Sequence, residues 1–555
     1  MRTFLIIIFI VFFSIGQAET RRSDTISLRA PIDIPLYLAG NFGELRRNHF
    51  HSGIDFKTQG KTGFPVHAAD DGYVSRASVS PWGFGRAVYV THPSTGLTTV
   101  YGHLEAFSPT IDKKVRSHQY ERESFSIDLS FTPDELPVKK GDIIGISGNA
   151  GSSGGPHVHF DVRDTETGDA LDPLEYFRNR IKDDVKPEVR QIALYPSDGG
   201  IVDGNIEKGA YRVPGKVTPF KAWGKVMAGI KAYDRMTGTS NIYGVKYMTL
   251  LQNNDTIYHR VIDRSAFETT RAVHTLINNH ELAAQNAWIM VSEIPASHPL
   301  DDMVWAKDNG IITIDSAMTY KFTWVLRDEH GNTTRFPFEI QGVRSSISAP
   351  VADGQLMLWN ADNLHENANF IVGVPENALY DNEFIKFSSV KNSNYLSDVV
   401  TIGSEGVALA KPFEMSISIT TDTLQDKNQY CLVKINGAKR STVTSRYENG
   451  WIDASPSSFG RYAVTMDTVP PKITPITKEK WKTTKEIKFK ITDNLSGVET
   501  WRGEIDGRFA LFELDGKTAT LSFKLDPERF PGSSHDILLR VTDACGNVSE
   551  FNSRF

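Results

Sequence analysis

Gly155-Pro156-His157-Val158-His159-Phe160-Asp161 is the stretch on which the reading of the first third of this chain turns. It reads as a β-strand carrying two imidazoles two residues apart, and alternate side chains of a strand share a face. His157 and His159 therefore reach one site together. Neutral imidazole is the commonest metal-binding side chain and a proton acceptor near neutral pH, so one strand supplies both a ligand and a base. Upstream, His51-Ser52-Gly53-Ile54-Asp55 adds an imidazole and a carboxylate, and Tyr101-Gly102-His103-Leu104 adds a further imidazole. A catalytic zinc takes three protein ligands and leaves a fourth position open. His51, Asp55, His103, His157 and His159 make such a set with two imidazoles to spare. The chain has no H-E-x-x-H helix and no pair of C-x-x-C motifs. A glutamate base of that kind and a four-cysteine structural site are thereby excluded, and the base expected here is an imidazole.

His49 competes with His51, because His49-Phe50-His51 is also an H-x-H. His51 is preferred because it alone stands four residues before Asp55, with Gly53 between them. His49 is then a groove-lining, supporting or exposed residue. His67, His92 and His118 belong to no ligand motif and are read as ordinary hydrogen-bonded histidines.

The segment from about Asn41 to Phe177 resembles the lysostaphin/LytM-type zinc endopeptidases, which cut peptide bonds in bacterial peptidoglycan. The family's H-x-G-x-D is His51 to Asp55, its Y-x-H-L is Tyr101 to Leu104, and its glycine-rich run ending in G-P-H-x-H-F is Gly148 to Phe160, with Gly154 where many relatives carry Thr. Phe64 to Gly72 and Val138 to Gly145 match supporting elements. The resemblance covers about a quarter of the chain. It implies a LytM-type antiparallel β-sheet, one Zn2+ held by His51, Asp55 and His159, and His103 and His157 as the two catalytic histidines that are not ligands. Zinc would activate a water and polarise the scissile carbonyl, while His157 or His103 takes the water proton and helps stabilise the oxyanion.

At the other extreme of the chain's chemistry, Phe4 to Ile15 is almost wholly apolar and is followed by Gly16-Gln17-Ala18, the pattern of a secretory signal peptide over 1–18. The apolar run is shorter than the roughly 20 residues of a membrane span, and no later stretch is long and apolar enough to cross. The expected product is exported, periplasmic or extracellular and cell-wall associated. Its two cysteines, Cys431 and Cys545, fall in different expected domains and are read as free thiols rather than a bridge. A net charge of −6 gives nucleic acid no electrostatic footing.

The expected architecture is mainly β. A zinc endopeptidase domain over 19–183 carries an insertion at about 108–136. A β-sandwich with an immunoglobulin-like look follows at 184–345, then a β-rich domain at 346–467 and a C-terminal immunoglobulin-like β-sandwich at 468–555. Pro93-Ser94-Thr95-Gly96 reads as a hairpin turn whose second strand delivers His103. The insertion is long enough to line or cover the groove; the competing reading is a solvated surface hairpin. The two immunoglobulin-like modules look like repeats: Lys186-Pro187-Glu188-Val189 matches Pro470-Pro471-Lys472-Ile473, Ala232 to Gly238 matches Ile491 to Gly497, and Asp328 to Asn332 matches Asp543 to Asn547. The first copy holds extra sequence, including an expected helix near Glu268 to Asn286. The aspartates in these turns are read as closing Asx-turns in preference to binding calcium.

The function expected from the residues and the resemblance is a secreted zinc endopeptidase acting on peptidoglycan crosslinks or stem peptides. The alternatives are a catalytically silent or autoinhibited LytM-like module that regulates a wall hydrolase, and a protease for ordinary proteins. The C-terminal modules would serve as an anchor to wall or protein partner, a restraint on the groove, or a spacer.

Overall fold

The computed structural model describes residues 26–347 and 353–555; the expected signal peptide lies outside them. The chain is mainly β, and among the described residues no helix is long and apolar enough to cross a membrane. Asp55, His103, His157 and His159 lie in one sheet, and His51 lies in the loop that enters it. Its central path runs Leu38–Gly40, Ile54–Lys57, His157–Asp164, Leu97–Phe107, Arg86–His92, Gly72–Val79 and Pro137–Val138, antiparallel at every step.

The pleat of the His157–Asp164 strand explains its composition. His157, His159 and Asp161 share one face, while Val158, Phe160 and Val162 face the core with no exposed surface. Phe160 packs edge-on against Phe56, Tyr101 and Phe177 at centroid distances of 6.0, 5.4 and 5.7 Å. Burying each such aromatic contributes about 1.5–3 kcal/mol, so the floor beneath the histidines is rigid. Gly53 is required by this packing, because a Cβ there would sit 2.3 Å from the Phe160 carbonyl oxygen.

The hairpin at Pro93–Gly96 forms as expected, joining Arg86–His92 to Leu97–Phe107. The insertion is neither a groove lid nor a solvated hairpin. Pro109–Glu121 is a helix with Pro at its first turn and Ile111, Val115 and Gln119 buried along one side. Ile127–Ser130 then adds a strand to the sheet edge at Gly72–Val79. Together they form the platform on which the last module rests: Tyr120 meets Phe509 at 5.9 Å, Phe125 meets Trp501 at 6.2 Å, and Arg502 pairs with Glu123 at 2.6 Å. The helix expected near Glu268 to Asn286 is broken. A 3-10 turn at Thr270–Leu276 is separated by extended Ile277 and the capping residue Asn278 from a helix at Asn279–Gln285.

Beyond the first sheet, strands between Glu188 and Gly342 form an eleven-stranded assembly threaded by the fourteen-residue strand Phe220–Tyr233. Two five-stranded sheets lie between Asn363 and Met466, and two four-stranded sheets between Lys472 and Arg554. Glu414–Ser418 alternates exposed or half-exposed with buried residues, as its pattern requires. The first sheet and the Glu188–Gly342 assembly are fused. Ala170–Leu171 pairs with Arg264–Ser265, and one continuous buried apolar cluster runs through both. Cutting the chain near residue 180 would expose that core. Cys431 and Cys545 are both free and buried, yet their thiols contact each other, because the fold brings the two regions together.

Candidate metal centre

Four elements bring five side chains to one point. His51 follows the short His49–Phe50 strand, Asp55 lies in Ile54–Lys57, His103 in Leu97–Phe107, and His157 and His159 in His157–Asp164. His51 Nε2, Asp55 Oδ1 and His159 Nδ1 lie 3.0–3.2 Å from one another. Donors on a tetrahedral zinc at about 2.05 Å are spaced by about 3.3 Å, so the three atoms stand at the separation such an ion imposes.

The outer nitrogens settle which atoms face inward. His51 Nδ1 donates to the Asn41 carbonyl at 2.7 Å, and His159 Nε2 donates to Asp161 Oδ1 at 2.5 Å. With those nitrogens holding the protons, the lone pairs of His51 Nε2 and His159 Nδ1 point at Asp55 Oδ1. Three acceptors aimed at one another call for a cation. The electrostatics agree. Burial opposes charge at Asp55, but the imidazoles of His51, His157 and His159 gathered around it hold its carboxyl well below the usual range. Burial likewise opposes charge at Asp161, yet His159 and Arg163 keep it at about 2. Where no cation sits between them, the two carboxylates overcome burial at His159 and raise it to about 9, so that a proton takes the place a metal ion would hold. The pocket stabilises positive charge, and the donor set of two imidazoles and a carboxylate fits zinc.

The two other histidines have the same tautomer logic. His103 Nδ1 donates to the Ala150 carbonyl at 2.9 Å and His157 Nδ1 to the Gly155 carbonyl at 2.8 Å. Each therefore presents a bare Nε2, and that of His157 lies 3.3 Å from Asp55 Oδ1. Their rings are 4.7 Å apart. Burial, then the charges of His159 and His157, push His103 down to about 3, so it stays neutral. His103 has φ +61° inside its strand, at a register shift where Arg86 pairs Leu104 but Val88 pairs Tyr101. That bulge turns the ring out of the pleat toward the site, a use of bulges common beside active sites.

His49 is exposed and outside the cluster. His67, His92 and His118 bond to the carbonyls of Gly141, Asp71 and Lys114. Three participants were given no role from the sequence. Asp161 supports His159 and pairs with Arg163 at 2.6 Å; its signal was the period of two that already linked His157 to His159. Phe84 lies over His159 at 4.7 Å. Asn41 is itself clamped by Gly244, donating from Nδ2 at 2.8 Å and accepting at Oδ1 at 2.9 Å. Asp161→Asn is expected to weaken zinc affinity about 10–100-fold, read by competition with a chromogenic chelator, with the folded baseline unchanged.

Comparison with known proteins places this arrangement. The family model described as Peptidase family M23 matches residues 49–120, and that of the Zu5-like domain matches 354–467. The DD-carboxypeptidase/endopeptidase Mpg of Neisseria meningitidis serogroup B is 32% identical over 113 residues, 20% of each chain. An uncharacterized metalloprotease of Haemophilus influenzae is 33% identical over 124 residues, 22% of this chain and 20% of that one. The chain thus matches about a fifth of the length of these curated relatives. Among solved structures, the catalytic domain of the prophage-encoded M23 protein EnpA from Enterococcus faecalis is 26% identical, covering 26% of this chain and 94% of that one, with a TM-score of 0.19. The lysostaphin catalytic domain of Staphylococcus simulans is 23% identical, covering 26% and 92%, with a TM-score of 0.20. Residues 49–120, which carry His51, Asp55 and His103, match the model of Peptidase family M23.

Proposed function

We propose that the chain is an exported zinc endopeptidase that hydrolyses peptide bonds in peptidoglycan crosslinks or stem peptides. The observation that carries the reading is the convergence of three proton-free acceptors, His51 Nε2, Asp55 Oδ1 and His159 Nδ1, beside two further imidazoles with bare Nε2 atoms. A zinc ion there supplies Lewis acidity for the scissile carbonyl and activation of a water. His157 and His103 then do the proton work. One accepts a proton of the attacking water at Nε2, and the N–H so formed steadies the developing oxyanion and then passes its proton to the leaving amine; the other accepts from the remaining O–H of that water and orients it. Their Nδ1–H bonds to backbone carbonyls fix both rings in the tautomer this needs. Asp161 and Asn41 keep the metal-facing imidazoles oriented. The peptidoglycan substrate rests on the resemblance of the three motifs to lysostaphin/LytM-type enzymes and on the DD-carboxypeptidase/endopeptidase among the relatives.

A restrained form of the same enzyme is favoured by one contact. Lys517 of the last module donates to the carbonyls of Asn149 and, at 3.3 Å, Ser153, in the glycine-rich loop that leads to His157. Gly516 lies against Trp82 beside it. The loop is already tight: Gly151, at φ +67°, has no room for a Cβ against the Gly83 carbonyl.

The test is digestion of purified peptidoglycan by zinc-loaded full-length protein, with mass spectrometry of released muropeptides. New peptide termini that vanish on chelation are expected. Intact peptidoglycan alongside cleavage of casein would overturn the substrate, and no cleavage of either by folded, zinc-loaded protein would overturn the activity. Lys517→Ala run in parallel is expected to digest faster where the last module restrains the loop.

A further inference from the structure

The two repeat modules place three aspartates at corresponding positions. Asp183 and Asp467 precede each module's first strand, Glu188–Pro196 and Lys472–Ile476. Asp234 and Asp493 open the turns ending at Gly238 and Gly497, and Asp328 and Asp543 open the turns ending at Asn332 and Asn547. Asp183, Asp234 and Asp328 bring one carboxylate oxygen each to within 4.8 Å of the others, and so do Asp467, Asp493 and Asp543. The framing bonds repeat as well. Asn332 Nδ2 donates to the Asp183 carbonyl at 3.0 Å and to Asp328 Oδ2 at 2.8 Å; Asn547 Nδ2 donates to the Asp467 carbonyl at 2.9 Å and to Asp543 Oδ2 at 2.8 Å.

The Asx-turns expected from the sequence are present. Asp183 Oδ1 accepts from the Val185 N–H at 3.0 Å, and Asp493 Oδ2 from those of Leu495 and Gly497 at 2.9 and 2.8 Å. They leave an oxygen over. Asp183 Oδ2, Asp234 Oδ1 and Asp493 Oδ1 are buried without a hydrogen-bond partner, and Asp183 and Asp234 are only 5% and 2% exposed.

A third acidic cluster shows what is missing. Asp172, Glu175 and Glu329 are gathered around Lys246 Nζ at 2.8, 2.8 and 2.7 Å. Lys246 lines the same cavity as Asp183, Asp234 and Asp328, yet its ion pairs go to Asp172, Glu175 and Glu329 and not to that trio. No lysine or arginine ion pair reaches the six aspartates among the described residues. The basic group facing the first trio is His330, whose Nε2 donates to the Ile181 carbonyl at 2.7 Å. Burial raises Asp183, Asp328 and Asp234, and repulsion from Asp328 adds to it at Asp183 and Asp234, the last reaching about 8. Buried carboxylates persist when paired or bound to metal. The donor set is all oxygen, which disfavours zinc and suits a hard cation. Oxygens across a calcium ion at about 2.4 Å are about 4.8 Å apart.

We propose that Asp183, Asp234 and Asp328 bind a calcium ion where the peptidase domain joins the first module, and that Asp467, Asp493 and Asp543 bind a second where the last module begins. Each ion ties the entering linker to two loops of the module behind it.

The test uses the full chain stripped with a calcium chelator and supplied with one equivalent of zinc, titrated with calcium chloride to about 10 mM, well above the range of weak extracellular sites. Calorimetry is expected to show two calcium ions per wild-type chain and one in each of Asp234→Asn and Asp493→Asn. Calcium is expected to raise the wild-type Tm by about 5 °C or more. Without calcium, Asp234→Asn is expected to melt no lower than wild type, because it removes a buried carboxyl whose Oδ1 has no partner; a purely structural aspartate would lower Tm equally in both conditions. Asp183→Asn replaces Asp234→Asn if that variant does not fold. A wild-type chain that takes up no calcium, or asparagine variants that still bind two ions, would overturn the proposal. The readout does not involve peptidase activity, so it stands or falls separately from the proposed function.

Discussion

His159→Ala is expected to abolish zinc binding and peptide hydrolysis together, with zinc content falling from one per chain to near background and activity falling about 1,000-fold or more, beyond the 10–100-fold that loss of an outer partner costs. His159 is the hub of the site. Its Nδ1 faces both Asp55 Oδ1, at 3.0 Å, and His51 Nε2, at 3.1 Å, while Nε2 donates to Asp161. The ring is almost fully buried beneath Phe84, so no solvent group takes its place. Asp161 keeps Arg163 as a partner in the variant, which spares the protein an unpaired buried carboxylate. Metal analysis and a melting curve on the same sample separate loss of the ion from loss of the fold. A variant that retained stoichiometric zinc and normal turnover would remove His159 from the centre.

The histidines that do not face the ion are expected to behave differently. His157→Ala and His103→Asn should keep one zinc per chain while kcat falls about 100- to 10,000-fold, the usual range for a positioned proton-transfer group, with KM little changed. Asparagine is the better replacement at His103, because it tolerates the left-handed backbone at φ +61° that would strain alanine. Both rings are anchored through Nδ1 to loop carbonyls, Ala150 and Gly155, and neither anchor passes through the three metal-facing atoms. Zinc retention together with lost turnover is therefore the signature of the proton role. Loss of zinc in either variant, or unaltered kcat in both, would count against it.

Much of the site was legible in the residues because its signals are local. Two imidazoles at i and i+2 share a face of any strand, and His51 and Asp55 lie within five residues with the obligatory Gly53 between them. Asp161 was equally legible by period two, two positions beyond His159, and was passed over because a carboxylate that supports a ligand has no motif of its own. The turn at Pro93–Gly96 and the alternation at Glu414–Ser418 are short-range patterns that later packing left intact.

Other features depend on partners far away in the chain. The insertion became a helix and an edge strand because Ile111, Val115, Ile127 and Leu129 join the core of the first sheet, while Tyr120 and Phe125 meet Phe509 and Trp501 of the last module. The stretch near Glu268 to Asn286 broke at Ile277, whose side chain belongs to the shared core. Cys431 and Cys545, far apart along the chain, became neighbours across a junction.

The chain's sequence by itself determined the chemistry: which side chains bring nitrogen and oxygen donors, which strand faces carry them, and where the turns fall, since these follow from spacing and backbone preference over a few residues. The tertiary structure alone decided the aim of those groups. It set the bulge that turns His103 inward, the carbonyls of Asn41, Ala150 and Gly155 that choose each tautomer, the meeting of the linker aspartates with turns of the following module, and the seating of Lys517 on the loop before His157. Each is a contact between segments distant in the chain, and its energy exists only once the core has closed around both.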